Sequence, residues 1–268
     1  MARAAREPDP RLVRHLGVVG STMAEAADWA AAGAPHGAVV TAEGQRVGRG
    51  RHGRRWEDEP GDSLLMTVVL RPELPVERLG LIPLAAGLAV AEGLDPFGVQ
   101  ASVKWPNDVR VGGRKLAGVL AESRAGGRLV LLGVGVNVAQ AAFPKALAET
   151  ATSLRQATGR VIDRLAPLAP ILDQLDRRLA DATARPARLV AAVEARLDTL
   201  GREVTVRDPS TGNVLAQGTA LGLAPSGALR LATAAGERAV SAGEVTLGAR
   251  GQGAESVSHG NCGDACEG

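Results

Sequence analysis

Cysteine is nearly absent from this sequence of 268 residues, because its two cysteines, Cys262 and Cys266, both lie in the last seven positions. The rest of the chain can form no disulfide framework, so a cytoplasmic location is the default expectation. His259 stands close to these cysteines, but three potential ligands at irregular spacing in a polar tail do not indicate a zinc site.

Long hydrophobic runs are missing as well. Proline, glycine or a charged residue interrupts every apolar stretch well short of the roughly 20 residues that a membrane span requires. The N-terminal segment MARAAREPDPR contains no hydrophobic region of the kind found in secretory signals. The formal net charge is only +2, which gives no overall electrostatic reason to expect a nucleic-acid or membrane partner.

Tyrosine is absent, and lysine occurs only three times among 31 basic residues, at positions 104, 115 and 145. Arginine therefore supplies most of the positive charge, and Lys104 and Lys115 call for a chemical explanation; the alternative is chance retention at the surface. A lysine ammonium is a compact charge whose pKa a protein can tune, whereas arginine presents a rigid fork. These two lysines are candidates for a role in chemistry.

The apolar pattern predicts an α+β region followed by a small β-barrel. Helices are predicted over 21–33, over 77–94 and as two segments within 161–199, and strands over 37–43, 62–70, 102–111, 114–123 and 128–138. Gly112-Gly113 predicts a hairpin turn, and the short β runs after Gly201 are typical of a barrel. We predict a flexible leader over 1–14, a large domain over 15–200, a barrel over 201–250 and a disordered tail over 251–268.

The segment GRGRHGRRW at 48–56 begins with the glycine pattern of a dinucleotide-binding turn. Such a turn needs a strand directly before it and a helix directly after it, and here five polar residues, EGQRV, follow the predicted strand while RRWEDEPGD reads as a turn. A Walker A loop is excluded because the sequence contains no Gly-Lys dipeptide. Glycines that let the chain approach a ligand, combined with arginine forks, instead predict a loop that binds carboxylate or phosphate.

Two other interpretations of this arginine loop stay open. A solvated basic surface loop requires no ligand at all. A nucleic-acid-binding patch is less favoured, because acidic residues at 57, 58, 59 and 62 follow the arginines at once.

The segment KWPND places an indole, a turn-forming proline, Asn107 and Asp108 directly after Lys104. Lys104 and Lys115 lie on the two arms of the predicted hairpin, and Asp108 is a candidate Mg²⁺ ligand because Mg²⁺ prefers hard oxygen donors. A plain turn-capping Asn-Asp pair is the structural alternative. If the hairpin packs near the arginine loop, cations would surround a reacting phosphate without any side-chain nucleophile.

Four motifs in this order, GRGRHGRRW, KWPNDV, RKLAGVLAE and GVGVN, resemble those of the biotin–protein ligases, also called biotin–[acetyl-CoA-carboxylase] ligases. The resemblance covers about residues 15–250. It implies a mixed α+β catalytic domain, with a sheet of the class II aminoacyl-tRNA synthetase and biotin ligase type, followed by a small SH3-like β-barrel. Too few residues precede Ser21 for the winged helix-turn-helix of bifunctional members, so no DNA-binding role is expected.

The resemblance implies a reaction in two steps. The carboxylate of biotin attacks the α-phosphate of Mg-ATP to give biotinyl-5′-AMP and pyrophosphate. The amine of one lysine on a biotin carboxyl carrier domain of an acyl-CoA carboxylase then displaces AMP. Two alternatives are a lipoate or octanoate ligase of the same superfamily and a non-catalytic binding module.

The resemblance also implies site residues. Those expected to contact biotin are Ser21, Thr22, Met23, Gln45, Arg49, Gly50, Arg51, Lys115 and Gly118. Those expected to contact ATP are Arg51, Arg54, Trp56, Lys104, Asn107, Asp108, Lys115 and Asn137. The catalytic candidates are Lys115, Arg51 and Asp108, with Asp108 also the candidate Mg²⁺ ligand. Met23 departs from the family, which usually has Asn there, and the loop is expected to be mobile until biotin binds.

Overall fold

The computed structural model describes residues 12–250, with side chains through residue 248. The predicted tail at 251–268, with its histidine and cysteines, lies outside the described residues. So does most of the predicted leader, although the first strand already begins at Val13, inside the range assigned to that leader.

The large domain is built on a seven-stranded mixed sheet in the order β1-β2-β3-β7-β6-β5-β4. Only the β1–β2 pair is parallel. The strands are β1 Val13–Val19, β2 Val39–Gln45, β3 Ser63–Leu70, β4 Ser102–Lys104, β5 Asp108–Val111, β6 Arg114–Arg124 and β7 Leu129–Asn137. The helices are α1 Thr22–Ala31, α2 Leu81–Gly93, α3 Leu154–Thr158, α4 Leu168–Ala184 and α5 Pro186–Glu194.

Side chains on opposite faces of this sheet enter two separate cores, because successive residues of a strand point to opposite sides. On β3, Val68 joins the large core that contains α2 and α4, whereas Val69 joins the small core under α1. Helix α2 is apolar all round and lies against α4 so closely that a Cβ on Gly93 would meet Ile171 Cα at 2.7 Å. The stretch Val76–Phe97 around α2 is long and apolar enough to span a membrane, but 67% of its most apolar window is buried inside the protein.

The predicted strand over 102–111 is wrong in one respect, because it folds as two strands, β4 and β5, joined at Trp105-Pro106-Asn107. Proline has no N–H to donate to a ladder, so the strand breaks there and Lys104 pairs with Asp108 instead. Lys104 therefore lies on β4 and Lys115 on β6, not on the two arms of one hairpin. The turn between β5 and β6 at Gly112-Gly113 is as predicted, with both glycines at positive φ.

Strand β2 runs further than the sequence predicts. Its parallel partner β1 pairs Val19 with Gln45, so the strand extends two residues, Gly44 and Gln45, beyond the predicted end at residue 43. This shortens the gap before Gly48, which was one ground for rejecting a dinucleotide turn. The second ground holds, because an extended chain and not a helix follows the loop.

The C-terminal residues form a five-stranded antiparallel sheet in the order β11-β10-β9-β8-β12. Its strands are β8 Arg202–Arg207, β9 Val214–Leu223, β10 Leu229–Thr233, β11 Gly236–Val240 and β12 Glu244–Arg250. This barrel-like domain packs against the large domain at Trp105, which is buried and whose Nε1 donates a hydrogen bond to Gly227 O at 3.0 Å. The contact places β12 beside the arginine loop.

Candidate active site

A cavity opens on the sheet between the start of α1 and the arginine loop at 48–56, with about 490 Å³ of empty space including its mouth. It brings together all nine residues expected to contact biotin, and nine others also line it. The lining residues are Ser21, Thr22, Met23, Gln45, Arg49, Gly50, Arg51, Trp56, Leu65, Met66, Asn107, Lys115, Gly118, Val119, Leu120, Gly133, Val134 and Gly135. Their roles toward a ligand stay predictions, but their convergence is a fact of the fold.

One end of the cavity is a hydrogen-bonded polar cluster at the N-terminus of α1. Ser21 caps the helix by accepting a hydrogen bond from Met23 N at 3.2 Å. Thr67 Oγ1 donates to Thr22 Oγ1 at 2.9 Å, and Thr22 Oγ1 in turn donates to Gln45 Oε1 at 3.1 Å, which also accepts from Thr22 N at 2.8 Å. These contacts occupy the carbonyl oxygen of Gln45 and fix the amide in place beside the cavity. Thr67 is a member of this cluster that the sequence motifs did not identify.

The floor of the cavity has no side chains at alternate positions of β7, because these positions are glycines, and other side chains approach the backbone closely there. A Cβ on Gly135 would lie 2.7 Å from the Trp56 indole, and one on Gly133 would lie 3.2 Å from Met23 Sδ. Gly118 on the neighbouring strand faces the same indole at 3.1 Å. Glycine in a strand interior marks a close approach by another group, so the GVGVN motif could have identified Gly133 and Gly135 as site residues.

A register shift in the β5–β6 pair brings Lys115 to the cavity. Regular alternation would put Lys115 and Gly118 on opposite faces of β6, because they are three residues apart. The pairing shifts between Val109 and Arg110, as at a β-bulge, and Lys115 N donates to Thr150 O at 2.7 Å instead of to β5. As a result, Lys115 Nζ lies within 3.2 Å of the position that a Cβ on Gly118 would occupy.

The charged groups of the cavity are connected to one another. Lys115 Nζ is 2.7 Å from Asp108 Oδ1 and 5.8 Å from the centre of the Trp56 ring. Arg51 donates to Asn107 Oδ1 at 3.1 Å, and Asn107 Nδ2 donates to Val119 O at 2.8 Å. Burial lowers the pKa of Arg51 from its usual value. The guanidinium nevertheless stays protonated, because arginine is not deprotonated in proteins. The lining of the cavity therefore contains one ammonium, Lys115, and the guanidiniums of Arg49 and Arg51. Lys115 and Arg51 are each positioned by one neighbouring polar side chain.

The arginine loop folds as a tight hairpin over the cavity. Trp56 N donates to Gly48 O at 3.1 Å and Gly50 N donates to Arg54 O at 2.8 Å. A side chain at Gly48 would come within 2.5 Å of Trp56 O, which explains the glycine there. The loop also contacts the barrel, because Arg54 forms an ion pair with Glu244.

Four of the eight residues expected to contact ATP lie outside the lining of this cavity, namely Arg54, Lys104, Asp108 and Asn137. Asp108 contacts the cavity-lining Lys115 through an ion pair, whereas Arg54 pairs with Glu244 of the barrel. Lys104 is largely buried, and burial lowers its pKa. Asn137 shares a face of β7 with Gly133 and Gly135, and its Nδ2 donates one hydrogen bond to Thr152 O at 3.0 Å, which fixes the orientation of the amide.

The chain is similar to known proteins over most of its length. Residues 17–138 match the model of the Biotin/lipoate A/B protein ligase family, and residues 199–248 match that of the Biotin protein ligase C terminal domain. The biotin–[acetyl-CoA-carboxylase] ligase of Mycobacterium tuberculosis is 38% identical over 87% of this chain and 88% of its own. The bifunctional ligase/repressor BirA of Bacillus subtilis is 35% identical over 86% of this chain and 72% of its own.

Among solved structures, the biotin protein ligase of Aquifex aeolicus in complex with biotin and ATP superposes with a TM-score of 0.77 at 29% identity. The match covers 88% of this chain and 97% of that one. The predicted α+β sheet followed by a small barrel is thereby confirmed.

Proposed function

Because the chain belongs to the biotin–[acetyl-CoA-carboxylase] ligases, we propose that it activates biotin with ATP and transfers it to a lysine of a biotin carboxyl carrier domain. The observation that supports this most directly is the cavity, because Arg51 and Lys115 line the same cavity as the polar cluster of Thr22 and Gln45. One end offers hydrogen-bonding groups for a neutral polar ring, and the other offers two cations for two acids.

The first step requires two anions to meet. The carboxylate of biotin attacks the α-phosphorus of ATP, a new P–O bond forms, and pyrophosphate leaves with the electrons of the broken bond. Arg51 binds oxygens bidentately and Lys115 supplies a compact charge, so together they offset the repulsion and the charge that builds in the transition state. The ion pair with Asp108 holds Lys115 Nζ in position between turnovers.

The second step joins the activated acid to an amine. The neutral amine of the acceptor lysine attacks the carbonyl carbon of biotinyl-5′-AMP, a C–N bond forms, and AMP leaves with the C–O electron pair. Arg51 and Lys115 stabilise the departing phosphate, which carries more charge than the anhydride did. The attacking nitrogen of the carrier lysine loses one proton when the amide forms. Asp108, which pairs with Lys115, is the candidate carboxylate to accept it.

We propose that Mg²⁺ accompanies ATP, with Asn107 and Asp108 as the candidate ligands from the protein. The described residues 12–250 contain no group of three or more His, Cys, Asp or Glu side chains able to hold a metal by themselves. One carboxylate, Asp108, next to the amide of Asn107 nevertheless suits a Mg²⁺ that takes its other ligands from phosphates and water. When bound, that ion would neutralise phosphate charge. Cytoplasmic location and the absence of a DNA-binding role stay predictions.

Biotin-dependent exchange of pyrophosphate into ATP tests the first step with the purified protein. We expect exchange with biotin and none with lipoate or octanoate; exchange only with lipoate or octanoate would assign the alternative ligase, and binding of biotin without any exchange would leave a non-catalytic module. Lys115→Arg should lose about 100-fold or more in exchange although the charge is kept, because removal of a well-placed charge donor typically costs that much. Lys145→Arg, at an exposed position outside the lining of this cavity, is the matched control and should exchange normally.

A further inference from the structure

Glu122, beside the cavity, has no role in the proposed reaction as described so far. It is the last residue of the RKLAGVLAE motif and lies near the end of β6. Two arginines share its carboxylate, because Oε1 is 3.3 Å from Arg49 Nη1 and Oε2 is 3.4 Å from Arg124 Nη2. Arg49 lines the cavity, whereas Glu122 does not. A carboxylate outside the cavity is therefore in direct contact with the arginine loop.

Glu122 stands on the face of β6 that the arginine loop covers. Between residues 117 and 124, β6 pairs with β7 without a register break, so residues 118, 120 and 122 point to one side of the sheet. Gly118 in this row faces the Trp56 indole at the end of the loop, and Leu120 lines the cavity. Glu122 is the third member of the row and pairs with Arg49 near the start of the loop. The row thus contacts the loop at both of its ends.

The sign of its charge limits what Glu122 can do at this place. A cavity that receives a carboxylate and a phosphate is favoured by cations around it, and a nearby carboxylate repels both anions. Such a carboxylate assists binding only through a cation that it positions. Arg49 is that cation, and because its side chain is 51% exposed, without a partner it would sample many orientations in solvent.

The ion pair leaves Arg49 able to bind a second anion. The hydrogen bond to Glu122 Oε1 uses the terminal nitrogen Nη1, and a guanidinium has five N–H donors in a fixed plane. Once a carboxylate outside the cavity fixes this plane, the remaining donors can be directed at a carboxylate inside the cavity. The backbone supports the same alignment, because Arg49 is bridged to Arg55 across the hairpin of the loop.

We propose that Glu122 is a positioning residue, which holds the guanidinium of Arg49 over the cavity and so keeps the arginine loop in the conformation that binds the carboxylate of biotin. The pair raises the population of the binding-competent loop before biotin arrives, and the apparent affinity rises with that population. The inference rests on the proposed function, because it takes biotin as the ligand of the cavity.

Calorimetric titration with biotin and the kinetics of biotin-dependent pyrophosphate exchange test this role in Glu122→Gln, which removes the charge and keeps the size of the side chain. The Kd and the KM for biotin should rise about twofold to fivefold, as expected for loss of an ion pair of this exposure. The kcat should not change, because saturating biotin keeps the loop closed. Glu73→Gln, which removes the same charge at an exposed position outside the lining of the cavity, should keep the wild-type values. An unchanged Kd in Glu122→Gln overturns the inference.

The same substitution in an Arg49→Gln background separates positioning from other roles. Without the guanidinium, Glu122→Gln should no longer raise the Kd for biotin, and the loss of its repulsion should lower the Kd slightly. If Glu122 only supports the fold, the substitution raises the Kd in both backgrounds. If its charge only repels biotin, the substitution lowers the Kd in the wild-type background already. Either of these two results refutes the positioning role.

Failure of the proposed function can be recognised separately, because it appears as a wild-type protein that binds no biotin. In that case, or if Arg49→Gln alone abolishes binding, tryptic cleavage within residues 49–55 without ligand decides the inference. Neither Glu122→Gln nor Glu73→Gln alters a cleavage site. Faster cleavage of the loop in Glu122→Gln than in Glu73→Gln supports the inference, and equal rates contradict it.

Discussion

Asp58 carries a carboxyl group that folding removes from water without giving it a partner, and replacing it by asparagine measures the cost. Burial is the main cause that raises its pKa from 3.8 to about 6; the charge of Glu59 adds to this, Arg55 opposes it, and Asp62 adds a smaller effect. Both carboxylate oxygens are buried and unpaired. The folded protein therefore binds a proton at Asp58 more tightly than the unfolded chain does.

The sign and size of the effect follow from this difference. Stability falls as pH rises from about 4 to about 6, because in that range the folded state holds more protons than the unfolded state, and the full cost is present above pH 6. A shift of about two pKa units corresponds to about 3 kcal/mol. Although both carboxylate oxygens are buried, the Asp58 residue as a whole is only partly buried. Nearby solvent therefore screens its charge, and we expect roughly 1–2 kcal/mol, or about 3–6 °C in Tm for a chain of this size.

Thermal unfolding of the wild type and of Asp58→Asn without ligand, at about pH 4.5, 5.5 and 7.5, measures this quantity. The variant should be more stable than the wild type at the highest pH, and its advantage should shrink toward the lowest. Glu73→Gln, at an exposed position whose charge does not contribute to the Asp58 shift, serves as the control and should gain much less. A difference that is the same at every pH, or a variant less stable than the wild type at pH 7.5, would refute the reasoning.

Two further predictions concern the floor and the loop. Gly135→Ala places a Cβ within 2.7 Å of the Trp56 indole, so it should cost about 1–3 kcal/mol of stability and weaken biotin binding measured by calorimetry. The control Gly17→Ala, with open space around it, should do neither. Normal biotin affinity in Gly135→Ala would contradict the placement of Gly135 in the floor of the biotin cavity. Arg54→Glu or Glu244→Arg alone should increase proteolysis of the loop and raise the KM for biotin, and the two together should restore both; a double variant as impaired as the sum of the singles would exclude the ion pair as the tether.

The sequence predicts the site well where a motif and a strand or helix boundary coincide. The local pattern alone predicts a helix that begins at Ser21 and an anion-binding loop at 48–56, and both are where the pattern places them. The choice of Ser21, Thr22, Gln45, Gly50 and Arg51 as biotin contacts came from the family resemblance. All five line the cavity, although the strand that carries Gln45 extends two residues beyond the predicted end; their contacts with a ligand stay predictions.

Lys115 and Asn137 were named in advance, but the direction of their side chains depends on a partner strand or a distant segment and could not be derived from local pattern. Lys115 reaches the cavity only because the β5–β6 register shifts, and alternation along β6 alone would assign it to the face opposite Gly118. The amide of Asn137 is engaged by a carbonyl fifteen residues later in the chain. A second cavity, lined by Asp58, Gln140 and Phe143 among others, was also not predicted. The residues after Trp56 read as a turn with negative charge, and only the fold brings Gln140 and Phe143 against them.

The glycines of the arginine loop predict mobility, yet the structure ties this loop to the barrel through Arg54 and Glu244, and the two features are compatible. The side chains of this pair are 64% and 39% exposed, and an exposed pair of this kind contributes about 0.2–1 kcal/mol. At room temperature 1 kcal/mol changes an equilibrium about fivefold. The tether therefore favours the closed loop without locking it, so that substrates can still enter. Rupture of the pair should change how often the loop is open far more than it changes the chemistry at Lys115.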